Sequence, residues 1–453
     1  MSATLPPNAE PLIGPGENIQ TIDATISRVP LAHPSPRFWW IGFSISFVVV
    51  MVLLTAVTWL LLRGVGIWGI NIPVAWGFAI TNFVWWIGIG HAGTFISAIL
   101  LLLHQRWRTS INRLTEAMTL FAVACAAMFP LLHLGRPQYF YWLLPYPDTM
   151  GLWPQWRSPL VWDVFAVSTY GIVSLLFWYV GLVPDLATIR DRAPTLFRRR
   201  VYGILSLGWR GDGYHWRHYE KLYLMLAGLA TPLVVSVHSV VGMDFAVAIL
   251  PGWHSTIFPP YFVAGAIFSG FAMVLTIVIP MRAVYGLQPY ITDRHLELMG
   301  KVLLVTGWIV AYGYFSEYLT AWWSGTSFDR AMAVDRASGA YAPMFWTLIT
   351  CNVLVPQALW WRRIRRSALP MFIVSLLINV GMWTERYVIV IQSLHRDFVP
   401  SSWGMFNGTK WDWSTYIGTI GLFFALVYLF VRYLPAISMT EMKRQIVTGE
   451  ETE

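Results

Sequence analysis

Apolar residues gather in ten long runs, near residues 38–62, 74–103, 117–134, 160–183, 221–249, 260–281, 301–323, 343–361, 369–394 and 414–434. A helix rising 1.5 Å per residue needs about 20 apolar residues to cross hydrocarbon, and each run is close to or beyond that length. The pattern predicts an all-α polytopic membrane protein with ten transmembrane helices. The runs at 74–103 and 221–249 exceed what a bilayer needs, so those helices are expected to tilt or project. Residues 1–37 are polar and Pro-rich, with no basic-then-apolar stretch ending in a cleavage site, and read as an arm that does not span.

Polar and small residues within the runs repeat. Ala92-Gly93 and Ser97 in the second run return as Ala264-Gly265 and Ser269 in the sixth. Pro159 and Trp162 in the fourth match Pro343 and Trp346 in the eighth, and Val241-Gly242-Met243 in the fifth matches Val380-Gly381-Met382 in the ninth. Four helices separate each pair, so the copies share one orientation. This predicts two four-helix bundles, helices 2–5 and 6–9, flanked by helices 1 and 10, with small residues allowing close helix approach. The chain then divides into an arm (1–37), a first helix and outer loop (38–73), a first bundle (74–249), a second bundle (250–394), and a last helix with its tail (395–453). The copies diverge at one informative place: Asp163 aligns with Thr347, so only the first bundle carries this carboxylate.

Composition agrees with a membrane protein. The chain is 56% hydrophobic and 12% charged, whereas soluble domains are about a quarter charged. A net charge of +8 would point to nucleic acid in a soluble chain. Here the cations sit in short loops between apolar runs, so they report topology instead. With the N-terminus inside, most of the 31 Lys and Arg residues fall on the inner side, including Arg106, Arg108, Arg113, the Arg198-Arg199-Arg200 run and Arg362, Arg363, Arg365 and Arg366. Both termini are therefore expected in the cytoplasm. Cys125 and Cys351 lie far apart inside predicted helices and match no disulfide framework or CxxC pattern; both are expected as buried thiols. No Rossmann glycine fingerprint, P-loop or zinc motif is present.

Ionisable residues at membrane depth are costly and invite a functional reading. His133, Arg136 and Asp163 cluster where one helix ends and the next begins, towards the outer face. A neutral imidazole accepts a proton near neutral pH, and a carboxylate beside it orients the ring and stabilises the imidazolium. The bland alternative is a hydrogen bond tying two helices together, with Arg136 capping a helix or pairing with Asp163. His238 and Asp244 lie six residues apart on the fifth helix, so they cannot both face one spot equally; Asp244 is the one favoured for the outer site. His91, in mid-helix, is a relay group or a satisfied core histidine. Glu317 and the Glu385-Arg386 pair are a neutral structural set or part of a proton path through the second bundle, because unpaired charges there are expensive. Asp293, Arg294, His295 and Glu297 read most simply as a solvated inner loop. Only His91, His133 and His238 lie within the membrane, and no helix holds two of them, which admits one haem but excludes a two-haem bundle. The many Trp and Tyr residues are mostly an interfacial belt, and the region from Trp142 to Trp162 is a candidate docking place for a partner.

Several stretches resemble the NrfD/PsrC family of membrane subunits of iron–sulfur oxidoreductases, and within it the ActC-type subunits of bacterial alternative complex III. They are Gly90-His91-Ala92-Gly93-Thr94, the run from Leu132 to Pro137, the run from Ser158 to Asp163, the run from Val237 to Asp244, and the unusual Pro251-Gly252-Trp253-His254-Ser255-Thr256-Ile257-Phe258-Pro259-Pro260-Tyr261. The resemblance implies a subunit that oxidises menaquinol or another quinol near the outer face of a bacterial plasma membrane. It implies His133 and Asp163 as catalytic residues, with Arg136, Asp244 and His238 around the quinol. It also implies no haem or iron–sulfur cluster on this chain. Electrons would leave to an ActB-like iron–sulfur subunit and then to c-type cytochrome subunits, beside an ActF-like membrane subunit. Proton translocation is a further implication, with His91, Glu317, Glu385 and Arg386 as its path. A transporter or proton channel, or an ActF-like structural anchor, are the competing readings.

Overall fold

A computed structural model describes residues 11–144 and 156–448. The first ten residues of the arm, the last five of the tail, and residues 145–155 of the aromatic loop expected to receive a partner lie outside the described residues. The described chain is helical throughout. An arm helix α1 (Ile19–Ala32) precedes α2 (Pro36–Arg63), α3 (Gly77–Leu102), α4 (Asn112–His133), α5 (Pro159–Arg192), a short α6 (Leu196–Leu205) and α7 (Gly213–Ala246). Then come α8 (Phe258–Tyr285), α9 (Asp293–Trp323), α10 (Ser327–Ser338), α11 (Ala342–Ile349), a single turn α12 (Arg362–Arg365), α13 (Ala368–Tyr387), α14 (Lys410–Tyr433) and α15 (Met439–Thr448). Ten helical stretches among the described residues are long and apolar enough to cross a membrane: α2, α3, α4, α5, α7, α8, α9, α11 prolonged to Trp360, α13 prolonged to Gln392, and α14.

Burial sorts these helices. The apolar windows of α3 and α8 are 83% and 89% buried, against 22% for α2, so α3 and α8 form the centre and α2 lies at the periphery. Helix α3 packs on α4 and α7, α5 on α4 and α7, and α8 on α9 and α13, while α3 and α8 touch each other across the middle. Helices α2 and α14 pack together at the side. Glycine makes the tightest of these approaches: a Cβ on Gly93 would lie 2.1 Å from the Thr115 carbonyl oxygen of α4, and one on Gly270 of α8 would lie 1.8 Å from Ala92 Cβ of α3.

Several helices outlast their apolar runs. Helix α5 continues to Arg192, α7 starts at Gly213 and α9 at Asp293. The expected solvated loop at Asp293–Glu297 is therefore the first turn of α9, in which His295 and Glu297 are buried. It is fixed there because the Thr292 N–H donates to His295 Nδ1 at 3.1 Å. Likewise Arg113, expected in an inner loop, is fully buried near the start of α4. Two spans carry wide π-type turns, Thr350–Leu354 after α11 and Val388–Gln392 after α13.

Ten crossings return the chain to the face on which it began, and Lys443 Nζ of the tail lies 3.0 Å from Asp23 Oδ1 of the arm. This is the terminal face; the other is the distal face. The arm is not loose where described: α1 packs against α15, α14 and α5.

Candidate functional site

Three helix ends meet the distal face with polar residues. His133 closes α4, Asp163 lies in the first turns of α5 behind Pro159, and Asp244 lies in the last turn of α7. The Asp163 and Asp244 side chains are in hydrogen-bonding contact with each other. A carboxylate only accepts, so this contact is a bond only when one of the two carboxyls holds a proton. The pair is thus a ready place to take up or release one proton. Asp163 is 7% exposed, and one oxygen of each carboxyl is buried without a partner. His133 is half-buried, and its Nδ1 is buried with no hydrogen-bond partner.

This corrects the expected pairing. Among the described residues no bond joins His133 or Arg136 to Asp163; the partner of Asp163 is Asp244 of α7. Arg136 is exposed and immediately precedes the turn Pro137–Leu143. His238 also leaves the outer site. It is fully buried, deeper on α7, and its Nδ1 meets Nδ1 of His91 at hydrogen-bonding distance. The six-residue spacing divides the two groups between different surroundings, as helical geometry requires.

The His91–His238 contact sits where α3, α7 and α8 converge. The ring centroids are 4.8 Å apart, Tyr170 packs its ring against His91 at 4.4 Å, and Phe262 of α8 lies 6.2 Å from His238. Two iron ligands must stand on opposite sides of a haem plane, and rings in direct contact leave no room for one. Both Nε2 atoms are buried without partners.

In the second half of the chain, Glu385 and Arg386 pair with each other inside α13. The Tyr314 hydroxyl of α9 donates to Glu385, Tyr261 of α8 contacts it, and Asn352 Nδ2 donates to the Tyr314 oxygen at 2.9 Å. The Arg386 guanidinium lies 4.2 Å over the Phe262 ring. Glu317 pairs instead with Arg336 of α10, a partner not evident from the sequence. Glu317 and Arg336 line a cavity of about 610 Å³ on the distal side.

A fourth cluster is absent from the sequence-based expectations. At the terminal face the fully buried Arg113 donates from Nε to Asp185 of α5 at 3.1 Å and lies 3.4 Å from Glu116. Glu116 accepts from Ser97 of α3 at 2.5 Å and from the Tyr223 hydroxyl of α7 at 2.8 Å. The tail closes the set: Glu441 pairs with Arg108 at 2.5 Å and Arg113 reaches Ser438 at 3.2 Å. One signal would have found it. Asn112-Arg113-Leu114-Thr115-Glu116 opens the third span as Asp293-Arg294-His295-Leu296-Glu297 opens the seventh, and Arg294 and Glu297 also pair, at 3.3 Å.

The model of the family described as polysulphide reductase, NrfD, matches residues 68–396. The chain belongs to the NrfD family. Similar proteins include one from Halobacterium salinarum named as a membrane subunit of a dimethyl sulfoxide reductase, 26% identical over 83% of this chain and 89% of that protein. A selenate reductase subunit of Mesobacillus selenatarsenatis is 21% identical over 80% of this chain and 86% of its own. The Hdr-like menaquinol oxidoreductase integral membrane subunit of Archaeoglobus fulgidus is 21% identical over 70% and 71%. This NrfD-family chain is accordingly an integral, multi-pass membrane subunit of an oxidoreductase complex. The family match begins at Trp68 and stops at Arg396, so it takes in α3 to α13 and all four polar clusters except the tail's contribution.

Proposed function

We propose that this subunit binds a quinol at the distal ends of α4, α5 and α7 and takes part in its oxidation, as an ActC-type subunit of alternative complex III. The observation that carries the reading is the Asp163–Asp244 carboxyl pair, with the unbonded Nδ1 of His133 at the adjoining helix end. A quinol becomes a quinone by losing two electrons and two protons. Its hydroxyls donate hydrogen bonds, so the site needs acceptors that can then keep a proton. A carboxyl pair already sharing one proton, and a neutral imidazole, are such acceptors. The apolar ends of three spans supply the walls for ring and tail. The relative named as a menaquinol oxidoreductase subunit supports menaquinol as the substrate. Electrons pass to an ActB-like iron–sulfur subunit on the distal face and onward to c-type cytochromes, with an ActF-like subunit alongside in the membrane. The terminal face is cytoplasmic in a bacterial plasma membrane, in line with the clustering of Arg and Lys there.

The test is Asp163→Asn in the complex purified through this subunit. Asparagine keeps size and donates to Asp244, but it cannot take up a proton. Quinol oxidation should fall about 10²–10⁴-fold, the usual worth of a positioned acid or base, while the same partner proteins still co-purify. Near-normal turnover would instead make the pair a helix tie and the subunit a structural anchor. Co-purified quinone and c-type haem, with no haem b assigned to this chain, is the accompanying spectroscopic expectation.

A further inference from the structure

Helix α6 neither spans nor is hidden, and quinol binding gives it no task. The sequence between Asp191 and Asp212 holds Arg192, Arg198, Arg199, Arg200 and Arg210 and no acidic residue. Its middle forms α6, opened by the Thr195 side chain, which accepts from the Arg198 N–H at 3.3 Å. Charge bias accounts for arginines in such a connection, but not for the apolar residues set among them. Phe197, Val201 and Ile204 stand four and then three residues apart, on one stripe of the helix. Phe197 and Ile204 are each 75% exposed, and Leu196 and Leu207 at the two ends are 62% and 71% exposed. Surfaces facing only water rarely leave so many large apolar side chains together.

The opposite side of α6 is tied down. Arg198 donates to the Leu31 carbonyl of the arm at 2.8 Å, and the buried Tyr202 donates to the Tyr433 carbonyl at the end of α14 at 2.9 Å. The helix turns back along α5: the Tyr179 hydroxyl donates to the Leu205 carbonyl at 2.8 Å, and Arg190 Nη1 donates to the Trp209 carbonyl at 2.9 Å. These ties set its depth. Helix α5 has 34 residues, about 51 Å, against a hydrocarbon core of about 30 Å, so its last turns project at the terminal face. Its apolar run ends near residue 183, between Tyr179 and Arg190, and α6 lies beside that stretch. Helix α6 therefore occupies the layer where acyl chains give way to phosphates, with its apolar stripe turned outward. Arg199 and Arg200 are exposed in that layer. Among the described residues no carboxylate, carbonyl or hydroxyl meets either guanidinium.

We infer that α6 is a binding site for anionic phospholipid: Phe197, Val201 and Ile204 pack against acyl chains of the leaflet at the terminal face, and Arg199 and Arg200 hold the phosphate. A basic helix with an apolar stripe, fixed at the interface, matches a molecule with a negative head and an apolar tail. A guanidinium meets phosphate through two parallel N–H donors, and phosphate is the anion that a bilayer supplies at that depth. The site lies at the face opposite the Asp163–Asp244 pair and stands without the quinol reading.

The test uses the complex purified through this subunit, carrying Ile204→Cys labelled with monobromobimane, in phosphatidylcholine vesicles. Cys125 and Cys351 are buried, and the complex without the new cysteine, treated in the same way, supplies the background. Brominated phosphatidylglycerol or brominated phosphatidylcholine is added in steps and quenching is followed. Each arginine near a charged membrane surface is worth about fivefold in affinity, so the unaltered pair should favour the glycerol lipid about 30-fold. Arg199→Gln with Arg200→Gln should bring the two lipids near parity, and Arg199→Lys with Arg200→Lys should keep the preference. Equal quenching by both lipids with the arginines present, or a preference that survives the glutamine changes, overturns the site. So does a label that neither lipid quenches, the result expected if another subunit covers α6. The glutamine changes strand no buried charge, so the same partner proteins should co-purify; their loss would assign the arginines to assembly and overturn the lipid role.

Discussion

Replacing Gly93 by alanine should separate α3 from α4 and break the hydrogen bond between Thr94 and Thr119 that joins them. The added Cβ would fall 2.1 Å from the Thr115 carbonyl oxygen and 2.4 Å from Thr119 Oγ1, whereas ordinary contact begins at 3.4 Å. The carbonyl belongs to a helix backbone and cannot rotate away, so the helices must part by about 1.3 Å, the difference between those two distances. Thr94 N–H now donates to Thr119 Oγ1 at 2.7 Å; the same shift lengthens that contact to about 4.0 Å, beyond a hydrogen bond. Overpacking costs about 1–3 kcal/mol, and leaving a buried polar partner unsatisfied adds about 1–3 kcal/mol. The expected loss is roughly 2–6 kcal/mol. Thermal unfolding of the purified complex in one detergent, followed through its tryptophans, measures this. The control is Gly228→Ala on α7, where nothing lies within 4 Å of the added carbon; it should be neutral or slightly stabilising, since alanine is the better helix former. Two variants with the same midpoint would refute the reasoning, because the clash and the open site would then be equivalent.

Arg113→Ala should be more damaging than any surface arginine change. It strands the fully buried Glu116 and Asp185, and breaking a buried pair costs about 3–5 kcal/mol; expression and unfolding midpoint report it, with Arg444→Ala, which is exposed along with its partner Glu220, as the mild comparison. Glu385→Gln still accepts from Tyr314 but leaves the buried Arg386 without its anionic partner, so stability should fall by the same order as for Arg113→Ala, about 3–5 kcal/mol; an unchanged unfolding midpoint would refute the pairing. Cys125 and Cys351 are both buried, so a membrane-permeant maleimide should label neither before denaturation and both after, read by intact mass.

The ten spans were readable because hydrocarbon thickness imposes a length that unbroken apolar runs reveal. The helix starts were not. Helices α7 and α9 begin two turns before their apolar runs, since capping and tertiary contacts sustain a helix where hydropathy has already fallen. Hence Asp293 to Glu297 looked like a loop and is a helical turn with His295 and Glu297 buried, and Arg113 looked like a loop residue and is fully buried in the terminal-face cluster. His133, Asp163 and Asp244 could be placed at one end of the molecule by counting crossings. Which of them touch could not, because that depends on how α5 and α7 rotate against each other. His238 shows the same limit: its spacing from Asp244 separated the two, but only packing could give it His91 as a neighbour. Glu317 lacked a visible partner because Arg336 comes from α10, a helix too polar to register as part of a span.

The tail's contact with Arg108 and Arg113 has a consequence for how the chain matures. Glu441 stands 333 residues after Arg108, behind all ten crossings. When α4 enters the bilayer, Arg113 has only Glu116 on its own helix, and Asp185 follows later; Ser438 and Glu441 are the last pieces to be synthesised. The central helices are thus laid down before the terminal-face charge cluster can be completed, and α15 acts as a late seal on the part of the molecule made first. A nascent chain halted after α14 should sit in the membrane with all spans inserted but remain open to protease at the terminal ends of α4 and α5, and become protected only once α15 has been made.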